Sequence, residues 1–185
     1  MALPTLIIID MQRGMLEPAA GVRNNPDAPS RIAELLQAWR SARAPVVHVR
    51  HISRSPVSPF APGQPGAQFQ PALQPLPQEH VVEKNVPDAF INTALERWLR
   101  VRDLDSLVIV GVSTNNSVEA TARKAGNLGF TTHVIADGCF TFAKTDYHGV
   151  LRSAEDVHAM ALANLQDEYA QVIESQAALA LLKQV

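Results

Sequence analysis

Three residues of different chemistry follow three of the chain's apolar runs. Asp10 follows the first run and Lys84 the third. Ser117 closes the segment Gly111-Val112-Ser113-Thr114-Asn115-Asn116-Ser117 that follows the fourth. A carboxylate can take a proton from a nucleophile, and an ammonium beside it can hold the pair ionised and oriented. A hydroxyl at the start of a helix gains from the unsatisfied N–H groups there. The three together describe acid–base or nucleophilic chemistry on a small molecule. Singly, each has an ordinary reading: Asp10 ends a strand or caps a turn, Lys84 pairs with Glu83 or solvent, and Ser117 is an N-cap. The chemical reading holds if the fold brings the three run ends to one edge.

The elements that must do this are legible as an alternation. Apolar runs at 6–9, 46–49, 81–83, 107–110, 132–135 and 170–173 are mostly continuous, as strands covered on both faces should be. Helical patterns lie between them, which predicts an α/β fold with a parallel sheet and helices on both sides. In such a sheet the site lies beyond the carboxyl ends of the strands. Ser30 is placed to cap a helix with Ile32, Leu35, Leu36 and Trp39 on one face. Asn92 opens a second, with Leu95, Trp98 and Leu99 inward. A third runs over 117–128, with Gly129 closing it in the left-handed conformation. A fourth covers 154–165, and a short terminal helix covers 177–182.

The segment 51–78 breaks the rhythm, with seven prolines and no helical period. A loop of that length in a compact domain is a surface excursion or a functional element. Proline stiffening suggests a flap over a site or a subunit contact. Phe60, Phe69 and Leu73 in it would form an exposed apolar patch and hence an interface.

Length and composition exclude several function classes. The 185 residues suit a single domain, 1–185, and 46% hydrophobic with 18% charged residues describes an ordinary globular chain. A net charge of -2 offers nothing to nucleic acid or an anionic membrane. No apolar stretch is long enough to span a bilayer, and the N-terminus lacks the charged region and cleavage site of a signal peptide, so a cytoplasmic protein is expected. The one cysteine, Cys139, excludes an intrachain disulfide and a cysteine-rich metal site. Cys139 itself reads as a small buried hydrophobe.

The segment from Gly111 to Arg123 resembles the signature of the isochorismatase-like (cysteine hydrolase) family, Gly-Val-x-Thr-x-x-Cys-Val-x-x-Thr, followed here by Arg123 and Ala125. The opening Leu6 to Gln12 is similar to the family's Asp-Met-Gln start. Glu83-Lys84 ahead of Phe90 resembles its lysine segment, and Ala161 to Leu165 its C-terminal helix. The four matches come in order across nearly the whole chain. The resemblance implies a three-layer fold around a six-stranded parallel sheet, and a triad of Asp10, Lys84 and residue 117. It implies a cis peptide at Val112–Ser113 and an oxyanion hole from the backbone N–H groups of Ser113 and Ser117. It also implies cleavage of C–N bonds in small amides, ureas or carbamoyl compounds, and assembly into homo-oligomers, dimers or tetramers. Candidate substrate contacts are Arg50 and His51 at the second strand end and, on the resemblance, Gln12, Phe90, Val112 and Thr114.

Serine stands where the family carries cysteine. An alkanol is a far weaker acid than a thiol of pKa ~8.5 and needs stronger base assistance. Three accounts stand: the serine replaces a natural cysteine and inactivates the site; it is natural and nucleophilic; or no covalent step occurs, and Asp10 protonates a vinyl ether as in the isochorismatases proper. No cofactor is implied. Metal-binding relatives use an Asp-x-His pair, which His48-Val49-Arg50-His51 lacks, and three-apart histidines fall on opposite faces of a strand. His133 reads as a satisfied buried histidine, and His80, His148 and His158 sit in no motif.

Overall fold

In a computed structural model that describes residues 2–183, the apolar runs are strands of one sheet. In chain order the elements are β1 (Thr5–Ile9), α1 (Ala28–Ser41), β2 (Val46–His51), β3 (His80–Lys84), α2 (Leu95–Arg100), β4 (Ser106–Val112), α3 (Glu119–Asn127), β5 (Thr131–Phe140), β6 (Lys144–Thr145), β7 (Leu151–Arg152), α4 (Ala154–Ala163), β8 (Gln171–Ile173) and α5 (Ser175–Leu181). Six strands pair in parallel in the order β3-β2-β1-β4-β5-β8, and β6 and β7 form a small antiparallel hairpin. All five residues of β1 are buried, as a central strand covered on both faces requires.

The two faces have separate cores. On one, Leu6, Ile8, Val108 and Val110 pack against the stripe Ile32, Leu35, Leu36 and Trp39 of α1, with Ala178 of α5. Each of the α1 side chains is at most 1% exposed, and full burial of an aliphatic chain is worth roughly 1.5–3 kcal/mol. Trp39 is held further by its Nε1, which donates to the Pro4 carbonyl at 2.7 Å. On the other face, Ile7, Ile9, Leu107 and Ile109 meet Leu95 and Leu99 of α2, Ala122 and Ala125 of α3, and Leu165 after α4.

Local chemistry shifts several boundaries. Ser30 is not the cap of α1: the helix begins at Ala28, because Pro29 in its first turn already has the right φ. Asn92 has φ 56° and lies outside α2. The N-cap of α2 is Ala94, and Thr93 Oγ1 just before it accepts from the Leu95 N–H at 3.3 Å. Trp98 is only half-buried and stacks on His80, with ring centroids 4.5 Å apart. Gly129 closes α3 at φ +81° as its type demands. His133 is half-buried, and its Nδ1 has no partner among the described residues.

The proline-rich segment is seated on the molecule, with short 3₁₀ turns at Pro65–Ala67 and Pro71–Leu73. Phe69 and Leu73 are buried and Phe60 half-buried, so the expected exposed patch does not exist. Their own chain covers them. Large exposed apolar side chains lie elsewhere, among them Tyr147, Leu151 and Met160.

Candidate active site

The strand order reverses between β1 and β4, and a crevice forms beyond their carboxyl ends at such a point. Asp10 leaves β1 there with φ 51°, a left-handed turn that aspartate tolerates better than most residues. Gly111 makes the approach of β4 possible. It pairs with Ile9, and a Cβ on it would lie 2.1 Å from the Ile9 carbonyl oxygen. The Val112–Ser113 peptide bond is cis. Thr114–Val118 then form a single π turn before α3. Ser117 therefore sits inside a wide turn and is not a helix cap, which removes its ordinary reading.

Lys84 joins the other two residues. Its Nζ donates to Asp10 Oδ2 at 2.7 Å and to Ser117 Oγ at 3.2 Å. All three residues are buried, at 2%, 3% and 7% exposure for Asp10, Lys84 and Ser117. Asp10 Oδ1 has no hydrogen-bond partner among the described residues. Burial raises the Asp10 pKa above the ordinary carboxylate value, opposed by Lys84, by the nearby Ser117 hydroxyl and by His51. A carboxylate made more basic than usual, with one oxygen unused, is equipped to receive or deliver a proton.

The other expected site residues divide. His51 turns toward the cluster: burial and Lys84 lower its pKa while Asp10 raises it, so the ring is neutral near pH 7. Arg50, next along the strand, points to the other face. It pairs with Glu83 at the surface, directly across the β2–β3 register. It lines a separate groove with Gln64, Ala67 and Glu83, which does not include Asp10, Lys84 or Ser117. Gln12 is not free to bind substrate either. Its Nε2 donates to the carbonyls of His51 and Ala67, both at 2.9 Å, and its Oε1 accepts from the His51 N–H at 2.8 Å. The side chain is a staple between β1, β2 and the proline-rich segment. Val112 is fully buried in the core on the α1 side of the sheet. Phe90 is spent on the opposite core, its ring stacked on Phe130 at 5.9 Å. The Thr114 hydroxyl is engaged by His158 Nδ1 at 2.8 Å. Ser113 remains half-exposed beside Ser117.

Thr121 closes the signature segment, whereas His158 was missed by motif reading. Thr121 Oγ1 accepts from the Ala89 N–H at 3.1 Å and ties the segment after Lys84 to α3. His158 lies with Ala154, Ala161 and Leu165 on a buried helical stripe. A histidine in such a stripe needs a partner, and that was the available signal. Cys139 is fully buried, and burial pushes its thiol up to about 12, which leaves it no nucleophilic role. His48 is also buried and bonds Glu79 Oε2 at 2.8 Å. Among the described residues no three His, Cys, Asp or Glu side chains cluster as a metal site.

Known proteins share this architecture. The structure of a hydrolase of the isochorismatase family from Chromobacterium violaceum is 51% identical, with a TM-score of 0.96 over 99% of this chain and 95% of that one. The isochorismatase family protein YrdC of Bacillus subtilis is 34% identical over 91% of this chain and 90% of its own length. Ureidoacrylate amidohydrolase RutB of Acinetobacter baylyi is 38% identical over a shorter stretch, 41% of this chain and 31% of that protein. The isochorismatase domain family matches residues 4–177, and the chain belongs to this family of hydrolases.

Proposed function

We propose that the chain is a metal-independent hydrolase of C–N bonds in small amides, ureas or carbamoyl compounds, with residue 117 as nucleophile position. The observation that carries this is the pairing of one used and one unused Asp10 oxygen around Lys84. Lys84 donates to Ser117 Oγ, so the hydroxyl's own proton is free for another acceptor. Asp10 Oδ1, without a partner among the described residues, is an acceptor for it.

In the proposed sequence the residue-117 oxygen or sulfur attacks the substrate's carbonyl carbon as its proton passes to Asp10. The backbone N–H groups of Ser113 and Ser117 receive the developing oxyanion. The C–N bond breaks as Asp10 returns the proton to the leaving nitrogen. Water then cleaves the acyl-enzyme, its proton passing to Asp10 and from there to the departing residue-117 oxygen or sulfur, which restores the resting site. Lys84 keeps the carboxylate and the nucleophile in register throughout. A serine in this frame preserves binding and slows the chemical step, because its hydroxyl ionises far less readily than a thiol.

The test is Ser117→Cys. Ammonia release from a panel of small amides, ureas and carbamoyl compounds should rise roughly 100-fold or more in kcat, with KM little changed, as for an interaction confined to the chemical step. A second reading has its own support in the raised Asp10 pKa, which suits an acid that protonates a vinyl ether without a covalent step. That reading replaces the first if Ser117→Cys is silent on the panel while the unaltered chain cleaves an isochorismate-like vinyl ether and Asp10→Asn abolishes that cleavage.

A further inference from the structure

The turn that carries Ser117 is held at its far end, where Lys84 Nζ donates to Ser117 Oγ and Val118 is fully buried in the core. It is one π turn of five residues, and neither it nor α3 has a side-chain cap. Asn116 is exposed, and Asn115 is tied only through its Oδ1 to the Thr141 hydroxyl. Yet Thr114, the first residue of the turn, is completely buried. Its hydroxyl meets His158 Nδ1 at 2.8 Å, across 44 residues of sequence.

The Ala136 carbonyl of β5 lies beside the ring and favours a proton on it. That carbonyl also accepts from Asn25 Nδ2 at 2.9 Å. Burial lowers the His158 pKa, so one ring nitrogen lacks a proton near pH 7. With the proton on Nε2, Nδ1 accepts, and the Thr114 hydroxyl donates. His158 thus links three elements: α4, which carries it, β5 through Ala136, and the nucleophile turn through Thr114.

We propose that His158 is a positioning residue for this site, its Nδ1 anchoring Thr114 and so fixing the turn that aims the residue-117 side chain and the N–H groups of 113 and 117. The inference rests on the hydrolase reading for its kinetic consequence, but the anchoring itself can be read without turnover. A displacement of the turn should cost kcat rather than KM, since nucleophile and oxyanion donors act in the chemical step.

The experiment uses substitutions that imitate one ring nitrogen at a time, in the Ser117→Cys background. His158→Asn retains an acceptor at the Nδ1 position, whereas His158→Gln retains a group at Nε2 and loses Nδ1. His158→Gln should lower kcat roughly 30-fold with KM within about twofold, the scale of a modest misplacement of reacting groups. Thr114→Val, close to isosteric and the safer variant for folding, should match it. His158→Asn should recover kcat to within about threefold of the parent, because the anchor is restored. The second readout is the pH profile of iodoacetamide alkylation of the thiol introduced at position 117, against the slow background of buried Cys139. Its midpoint should rise by about one unit with His158→Gln and Thr114→Val, as N–H support for the thiolate weakens, and return with His158→Asn. Shifted midpoints with Asn rescue but no turnover of any amide would uphold the anchor and sink the hydrolase reading. Unmoved kcat and midpoint in both His158→Gln and Thr114→Val would overturn the anchor. So would a loss in His158→Asn as deep as in His158→Gln, since ring volume rather than Nδ1 would then be what matters.

Discussion

Two buried carboxyl groups stand near strand ends on the same half of the sheet, and their surroundings differ in one respect. Glu79, just before β3, is saturated. Its Oε1 accepts from Arg40 Nε at 2.7 Å; its Oε2 accepts from Arg40 Nη2, His48 Nε2 and the Leu76 N–H, each at 2.8 Å. These donors overcome the cost of burial and hold Glu79 down at about 2. Asp10 has the single ammonium of Lys84 on one oxygen, no partner on the other among the described residues, and a raised pKa. A saturated carboxylate is locked in its charge state and binds elements together: α1, β2 and the end of the proline-rich segment converge on Glu79. An unsaturated one keeps lone pairs with which a reacting group can bond. Buried polar groups that lack partners call for an explanation, and here the explanation is chemistry.

The sharpest way to break this division is to exchange the roles. Asp10→Asn in the Ser117→Cys background should lower kcat by about 1,000-fold, the usual scale for loss of a general base and some 4 kcal/mol of barrier, as measured by ammonia release. Glu79→Gln should do the reverse. Loss of the charge facing Arg40 and His48 should cost about 2 kcal/mol of stability by urea unfolding and leave kcat within about twofold. A kcat as badly damaged by Glu79→Gln as by Asp10→Asn would end the comparison.

Acid titration sharpens it further. Glu79 has a folded-state pKa below its ordinary 4.5, so its contribution is complete above that value and is lost as pH falls toward about 2. The unaltered chain should lose stability across that window by more than Glu79→Gln does, the difference vanishing near pH 2. The smallest effect belongs to Arg50. Its pair with Glu83 is exposed, so Arg50→Ala should change stability by less than about 0.5 kcal/mol and KM by less than about twofold. A tenfold rise in KM would return Arg50 to the pocket.

The sequence alone determined the alternation of strands and helices, because buried parallel strands need continuous apolar runs and covering helices need apolar stripes. It also placed Asp10 and Lys84 at two strand ends, since they follow the runs directly, and Ser117 at the close of the segment after a third. The assignments that changed were those where a side chain's direction mattered. Arg50 and His51 are neighbours in sequence but opposite in facing. Gln12 belongs to the opening motif and spends its amide on backbone. Phe69 and Leu73 read as exposed because a proline-rich segment shows no period from which burial can be inferred. Only the tertiary structure decided that Lys84 reaches both partners, that one Asp10 oxygen has no partner among the described residues, and that His158 meets Thr114. Each of those is a contact between residues at least 33 apart in the chain, or the lack of one. Local pattern cannot report such contacts, because hydrogen-bond satisfaction is settled only when the strand ends and the last helices are packed together.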